Sequence, residues 1–133
     1  LDPKNYSGLF NAGLVYFQWA DYPKSIELFR KCNSLYPESM EVHNMLGDCY
    51  YSQNNYNEAI RWYQQAYDKG IRNSAQLNIM AYIYDTQNRT GDAIKYYKEA
   101  LEQDSSLVDV YTRLAELEPS RADWYNKKAA AYR

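Results

Sequence analysis

Residues 43–66, HNMLGDCYYSQNNYNEAIRWYQQA, hold two helical packing patterns on either side of a short polar turn. The first pattern has the i, i+3, i+4, i+7 spacing of one helix face, and the second places alanine, an aromatic ring and alanine at helical spacing. Between them, Asn55 precedes Glu58 by three residues, which is typical of a helix N-terminus. The stretch therefore predicts a helix, a tight turn and a second helix. The two patterns consist of His43, Leu46, Gly47 and Tyr50, and of Ala59, Tyr63 and Ala66.

The same two patterns recur at one fixed spacing along the chain. A constant period of about 34 residues indicates a stack of similar units, because one helix pair cannot bury its apolar face alone. No stretch shows sustained two-residue alternation, so the sequence predicts an all-α fold. The columns that share this period include Gly13, Gly47, Ala81 and Ala115; Tyr16, Tyr50 and Tyr84; Phe29, Tyr63 and Tyr97; and Cys32, Ala66 and Ala100.

These residues resemble the tetratricopeptide repeat. That family carries a large residue, Leu-Gly and Tyr in its first helix, then Ala, an aromatic residue and Ala in its second, followed by Pro. Departures are mild: Ser25 replaces the usual Ala, and Ile71 and Ser105 stand where Pro37 ends the first unit. The resemblance implies a right-handed α-solenoid of antiparallel helix pairs. It divides the chain into full repeats at residues 6–39, 40–73 and 74–107.

Both ends of the chain depart from complete repeats. Pro3 precedes Pro37 by one full period, so residues 1–5 are predicted to be the tail of a preceding repeat in a chain cut from a longer array. Residues 108–133 begin a fourth unit that lacks about five residues when it is aligned on its alanines. We interpret it as a degenerate repeat or a pair of capping helices, in which Ser120 and Asp123 are expected to cap the last helix.

Composition narrows the range of functions. The formal net charge of -2 gives no electrostatic reason to expect binding to nucleic acid or to an anionic membrane. Mean hydropathy is -0.76, and no apolar run approaches the roughly 20 residues that cross a bilayer. Aromatic residues make up 17% of the chain, with 16 Tyr against 3 Phe and 3 Trp. Such tyrosines suit a thin helical layer, because the ring packs inside while the hydroxyl reaches water or a neighbour.

No set of residues predicts catalysis, a metal or a cofactor. The single histidine, His43, falls on the packing stripe of its helix, which favours a core imidazole over an acid–base group. A zinc site from Cys32, His43 and Cys49 fails, because His43 and Cys49 face different sides of one helix and a fourth ligand is missing. The two cysteines are expected to be buried free thiols, with a contact between adjacent repeats as the alternative. The chain has no glycine-rich phosphate loop and no nucleophile elbow, so we predict that it is not an enzyme.

The resemblance implies a partner-binding groove on the concave face, lined by first-helix residues beside the packing stripe. Members that grip the C-terminal carboxylate of chaperones use Lys, Arg and Asn there. This chain offers no cation at those places, so a carboxylate clamp is not expected. The implied groove residues are Phe10, Leu14, Phe17, Glu41, Asn44, Asp48, Tyr51, Asn78, Tyr82, Asp85, Thr112 and Glu116.

The leading hypothesis is a non-catalytic interaction scaffold whose groove binds a protein or peptide with basic and aromatic anchors. Two alternatives stay open: a regulatory or substrate-recruiting segment of a larger enzyme, and a structural spacer that associates with itself. Phe10, Leu14 and Phe17 also have an alternative interpretation, in which they pack against a preceding repeat or another chain.

Overall fold

The computed structural model describes residues 3–133, and in this range it contains eight α-helices, one 3-10 helix and no strand. The predicted all-α class is therefore confirmed. The helices are α1 (Pro3–Gln18), α2 (Tyr22–Leu35), α3 (Met40–Ser52), α4 (Tyr56–Asp68), α5 (Ser74–Thr86), α6 (Thr90–Gln103), α7 (Val108–Leu117) and α8 (Ala122–Ala131), with the 3-10 helix Pro119–Arg121 before α8.

The chain forms two units, Leu1–Ile71 and Arg72–Arg133. In unit 1, α1 packs on α2 and α3 packs on α4, while α2 also lies against α3. In unit 2, α5 packs on α6 and α7 packs on α8, while α6 contacts α7. Short turns join the two helices of each pair, so the paired helices run antiparallel.

Glycines let the two helices of each pair in unit 1 approach closely. A Cβ atom added to Gly13 would lie 2.7 Å from Cε1 of Phe29, and one added to Gly47 would lie 2.6 Å from Cδ1 of Tyr63. Both aromatic rings are fully buried. The missing side chains of Gly13 and Gly47 therefore make room for the rings of the second helix in both pairs. Any side chain at these two positions would displace a core ring.

A left-handed residue recurs in the turns between paired helices. Ala20, Asn54 and Asn88 each have φ of 60°, and they occupy the same place in successive periods of the sequence. Asparagine tolerates this conformation well, whereas alanine places its Cβ close to the following carbonyl oxygen. The three turns thus share one backbone conformation but differ in the residue that adopts it.

Helix ends agree with most of the predicted signals. The side chain of Asn55 caps α4 by accepting a hydrogen bond of 3.4 Å from the N–H of Glu58, and α2 ends just before Pro37. The expected cap at Ser120 is wrong. Ser120 lies within the 3-10 helix that follows Glu118, whereas an N-cap needs non-helical backbone. The residue before α8 is Arg121, and its side chain makes no capping bond.

Leu1 and Asp2, which belong to the predicted tail of a preceding repeat, lie outside the described residues. Pro3 begins α1, a position that suits proline because the first N–H of a helix has no partner within the helix. The repeat boundaries remain predictions. None of the described helices combines the length and the apolar character that a membrane span requires.

Tyrosines fill the core and anchor their hydroxyls, as the composition predicted. Tyr50 is buried, and its hydroxyl accepts bonds of 3.0 and 2.8 Å from the Arg30 guanidinium. Tyr111 donates 3.0 Å to the carbonyl of Ser105, and Tyr125 donates to Glu118. Each ring therefore contributes apolar burial without an unsatisfied hydroxyl.

Candidate functional site

The predicted groove residue Asp48 lies on α3 and contacts Tyr63 of α4. The Tyr63 hydroxyl donates a 2.5 Å hydrogen bond to Oδ1 of Asp48. This bond depends on local packing, since the neighbouring Gly47 lets the Tyr63 ring lie directly against α3. The tyrosine of the second helix, α4, thus binds a carboxylate of the first helix, α3.

Burial raises the pKa of Asp48 above its ordinary value, and the Tyr63 hydrogen bond opposes that rise only in part. Burial also raises the pKa of Tyr63, and the adjacent Asp48 carboxylate adds to the effect. Among the described residues, no Lys, Arg or His lies within salt-bridge distance of Asp48. The carboxylate is therefore partly buried, hydrogen-bonded and uncompensated by a cation.

The other predicted α3 residues differ in their surroundings. Tyr51 stacks on Tyr56, with ring centroids 5.5 Å apart and planes 22° apart. Asn44 is partly buried, and its side-chain oxygen has no hydrogen-bond partner among the described residues. Glu41 is exposed and accepts a 3.2 Å bond from the Ser39 hydroxyl. An aromatic ring, an amide and an acid thus accompany Asp48 on the same helix.

The three apolar residues predicted on α1 are half-buried. Phe10 lies between Tyr6, at 5.7 Å, and Phe29, at 5.4 Å between ring centroids. Phe17 packs edge-on against Tyr22 at 5.5 Å. Much of the phenylalanine surface is therefore used within the first helix pair. Leu14 lies on the same helix and is likewise partly exposed.

In unit 2, Asp85 of α5 is paired with a cation. The Arg113 guanidinium on α7 donates bonds of 2.6 and 2.8 Å to the two carboxylate oxygens of Asp85, in a bidentate arrangement. The Tyr97 hydroxyl of α6 donates a third bond, 3.2 Å long, to the same carboxylate. Tyr82 lines the cleft of about 380 Å³ that these three residues border. Asp85 and Tyr82 are thus brought together.

The hydrogen bonds from Arg113 hold the pKa of Asp85 below its ordinary value, against the opposing effect of burial. Burial and the neighbouring Asp85 raise the pKa of Tyr97. Arg113 also forms a 2.5 Å ion pair with the predicted residue Glu116. The arginine side chain remains 41% exposed, so solvent screens both pairs.

Two further predicted residues of unit 2 have less distinctive surroundings. Thr112 donates a 3.2 Å bond to the Val108 carbonyl within its own helix. Asn78 lies partly buried on α5.

Arg113, the charge partner of Asp85, is not among the residues predicted from the sequence. A signal was present, because Met45 and Ile79 occupy the same column in the two preceding periods, so a cation interrupts an apolar column. The spacing of Arg113 and Glu116 also predicts a pair along one helix. Neither signal identifies Asp85, which lies far away in sequence on α5.

The residues considered for a metal or for acid–base chemistry lie in the core. His43 is 1% exposed, and Nε2 contacts Oδ1 of Asn33 at 3.0 Å. Burial lowers the pKa of His43 and raises that of Cys49 to about 11. Cys32 and Cys49 are both free and buried, as predicted. Within residues 3–133, no group of three His, Cys, Asp or Glu side chains is arranged to hold a metal ion.

Sequence comparison finds the same repeat in three consecutive parts of the chain. Two family models, both described as tetratricopeptide repeat, match residues 40–69 in one case and 6–39 and 77–107 in the other. A search of curated protein sequences finds no match.

Solved structures share the fold at low sequence identity. A crystal structure of MamA is 21% identical, with a TM-score of 0.84 over 98% of this chain and 80% of that chain. A MamA structure (residues 41 to the end) from Desulfovibrio magneticus RS-1 is 18% identical, with a TM-score of 0.76 over 97% of this chain and 72% of that chain. The first tetratricopeptide repeat domain of Spaghetti (RPAP3), bound to the HSP90 peptide SRMEEVD, is 16% identical, with a TM-score of 0.76 over 92% of this chain and 97% of that chain.

Proposed function

Because the chain belongs to the tetratricopeptide repeat family, we propose that it is a non-catalytic module that binds a segment of another protein. The repeat fold supports a protein-interaction scaffold in general. At least one neighbour of the same fold, the RPAP3 domain, holds a peptide in its solved structure. The finer proposal is that the partner segment offers a cationic side chain next to an aromatic one.

The observation that carries the proposal is the uncompensated carboxylate of Asp48. A partly buried carboxylate with only a tyrosine donor gains from a cation that approaches from outside. Asp85 provides an internal example of that chemistry, since a tyrosine and a guanidinium both bind its carboxylate. We propose that a partner arginine or lysine occupies the corresponding place beside Asp48.

Aromatic side chains would bind the rest of the partner segment. Tyr51, three residues from Asp48 on the same helix, already stacks on Tyr56 and adds apolar contact area. Tyrosine suits such a surface, because it contributes area at a low cost in side-chain entropy. Glu41 adds a second negative charge on α3. The combination favours a basic-aromatic segment over an acidic one.

The proposal is tested by measuring binding to a peptide array with wild-type protein and two variants. Selected peptides are remade with glutamine in place of each arginine or lysine. Asp48→Asn should weaken binding of the cationic peptides by about tenfold or more, because a charge-assisted bond is lost. The matched control is Asp68→Asn, which removes the same charge from an exposed residue of unit 1. Its affinity should stay within about twofold of wild type.

The Tyr51→Ala variant tests the aromatic part of the proposal. It should bind the same peptides more weakly, since an aromatic ring on the same helix as Asp48 is removed. Equal binding by wild type and Tyr51→Ala would exclude an aromatic contribution beside Asp48. Equal effects of Asp48→Asn and Asp68→Asn would exclude a specific cation site at Asp48.

A further inference from the structure

We infer that unit 2 carries a second docking site, which takes an acidic side chain next to a large apolar one from a partner peptide. The site is a cleft of about 280 Å³ bordered by α6, α7 and α8, and it is called here the Arg121 cleft. It differs from the proposed Asp48 surface in both its residues and the sign of its charge. The inference does not depend on the function proposed above.

The Arg121 cleft has an apolar interior. Leu101, Tyr111 and Tyr125 line it, and Trp124 forms an exposed wall with 47% of its surface accessible. Pockets for cofactors and drug-sized ligands usually measure about 300–1,000 Å³. A smaller cleft suits one apolar side chain of a peptide better than a whole cofactor.

Arg121 supplies a cation that forms no ion pair within the described part of the chain, although its charge helps to lower the pKa of nearby Glu118. Its guanidinium carbon lies 5.0 Å from the ring centroid of Trp124 and 5.2 Å from that of Tyr125. Neither an ion pair nor a side-chain hydrogen bond joins Arg121 to any residue in the described part of the chain. The two rings therefore hold the guanidinium in place while leaving its N–H donors available to an external acceptor.

Neither of the acids near the cleft, Glu102 and Glu118, forms an ion pair with Arg121. Glu118 is bound by Lys98, at 3.2 Å, and by the Tyr125 hydroxyl. Glu102 is exposed at the rim and forms no ion pair with Arg121. A further cation, Lys128, has its ammonium 5.4 Å from the Trp124 centroid. The cleft therefore presents net positive charge beside apolar surface.

The surrounding segment has the same sign of charge. Residues 119–133 contain four cations and one acid, Asp123, so their side chains carry a net charge of +3. The cations are Arg121, Lys127, Lys128 and Arg133. Such a field attracts acidic segments and repels basic ones.

A carboxylate fits the Arg121 cleft better than a phosphate does. One planar guanidinium matches the two oxygens of a carboxylate, whereas phosphopeptide sites usually gather several arginines. Of the residues that the structure describes, Arg121 is the single arginine that lines this cleft. The expected anchor is therefore glutamate or aspartate, with leucine or a similar side chain entering the apolar interior.

The test uses an acetylated and amidated peptide of glycine and serine with a central leucine–glutamate–leucine. The peptide is titrated into the isotope-labelled full chain, and the indole N–H of Trp124 and the side-chain Nε–H of Arg121 are followed by NMR. A second peptide has glutamine in place of glutamate. The glutamate peptide should bind at least about tenfold more tightly, a difference of about 1.4 kcal/mol. Equal affinity of the two peptides for wild-type protein would overturn the inference.

Two variants place the effect at the Arg121 cleft. Arg121→Gln should reduce the affinity of the glutamate peptide to that of the glutamine peptide. Lys127→Gln, an equal charge change at an exposed position of α8 outside the cleft lining, should leave the glutamate preference intact. Equal losses in both variants would mean diffuse attraction and would contradict a specific site. Shifts of the Trp124 and Arg121 signals on concentrating the protein alone would mean that a second copy covers the cleft, which would also contradict the inference.

A charge reversal guards against a folding artefact. Arg121→Glu should prefer a peptide with lysine in place of glutamate, and an inverted preference cannot result from loss of α8. An unchanged preference for the glutamate peptide would refute the role of Arg121. If circular dichroism shows that the variant is unfolded, the comparison of the two peptides on wild-type protein decides alone.

Discussion

Units 1 and 2 each bind a second-helix tyrosine to a first-helix aspartate, but an arginine completes the group only in unit 2. Tyr63 and Tyr97 occupy the same place in the repeat period, whereas Asp48 and Asp85 do not. Arg113 neutralises Asp85, and nothing comparable among the described residues reaches Asp48. The period thus fixes the donor, while the position of the acid and its charge partner vary between units. A tyrosine at one place in the period can therefore bind an unpaired carboxylate in one unit and an ion-paired carboxylate in the other.

The largest expected change in stability comes from displacing the Tyr63 ring of α4 from the surface of α3. Gly47→Ala places a methyl group 2.6 Å from a ring atom of buried Tyr63. The ring must move, and its bond to Asp48 must stretch. We expect the free energy of unfolding to fall by about 2 kcal/mol, because overpacking outweighs the gain in helix propensity. Urea denaturation measures the change.

Gly91→Ala is the matched control for that substitution. Gly91 lies in α6, and an added Cβ atom meets nothing within 4 Å. This variant should be neutral or more stable by up to about 1 kcal/mol, since alanine favours the helix. Similar losses in both variants would contradict the close-packing explanation.

The next largest effect compares a carboxylate with one side-chain donor, Asp48, with a carboxylate that has several, Asp85. Tyr63→Phe leaves the partly buried Asp48 carboxylate without its donor, and we expect a loss of about 1.5 kcal/mol in unfolding free energy. Tyr97→Phe leaves Asp85 bound to Arg113, so the loss should be only about 0.5 kcal/mol. Both values come from urea denaturation at neutral pH. Equal losses would remove the distinction between the two units.

Replacing Asp85 and Asp48 by asparagine should change the free energy of unfolding in opposite directions at neutral pH. Asp85→Asn breaks the pair with Arg113 and should cost about 1 kcal/mol, a moderate value because the arginine is partly exposed. Asp48→Asn removes a desolvated charge but keeps an oxygen that can accept the Tyr63 hydrogen bond. It should be neutral or stabilise the fold by about 0.5 kcal/mol. A loss of stability in Asp48→Asn would contradict the uncompensated charge.

The smallest effect is the pH dependence of these differences. The folded-state pKa of Asp85 is lowered, so its contribution is complete above its ordinary value of about 3.9 and is lost as pH falls through the lowered pKa. The pKa of Asp48 is raised, so its relative contribution is favourable at low pH and is lost as pH rises through the raised pKa. Unfolding curves at pH 3 and 5 should therefore separate the two variants from wild type in opposite directions, and the difference for Asp85→Asn should not grow further at pH 7.

The sequence predicted the helices and their packing stripes well, because both follow from local spacing. Leu46, Gly47 and Tyr50 were identified by periodicity alone, and all three are buried. The position of a residue in the helical period specifies which face of the helix its side chain occupies. It also explains why glycine lies opposite an aromatic ring.

Sequence periodicity could not predict which charged side chains pair with each other. Arg113 is long and flexible, and its choice of Asp85 depends on how α5 and α7 approach each other in unit 2. The cap at Ser120 failed for a related reason, since the 3-10 turn that begins at Pro119 depends on local backbone geometry rather than on period. Contacts between distant residues were therefore the part that only the structure supplied.

The residues with positive φ in the turns of unit 1 determine which of its two helix pairs opens first. Ala20 holds a conformation that asparagine adopts more easily at Asn54, so the α1–α2 turn carries strain of about 1 kcal/mol that the α3–α4 turn largely avoids. Local opening of a repeat array follows such differences between neighbouring pairs. The amide protons of α1 should therefore exchange with solvent before those of α3, even though the two pairs look alike in sequence.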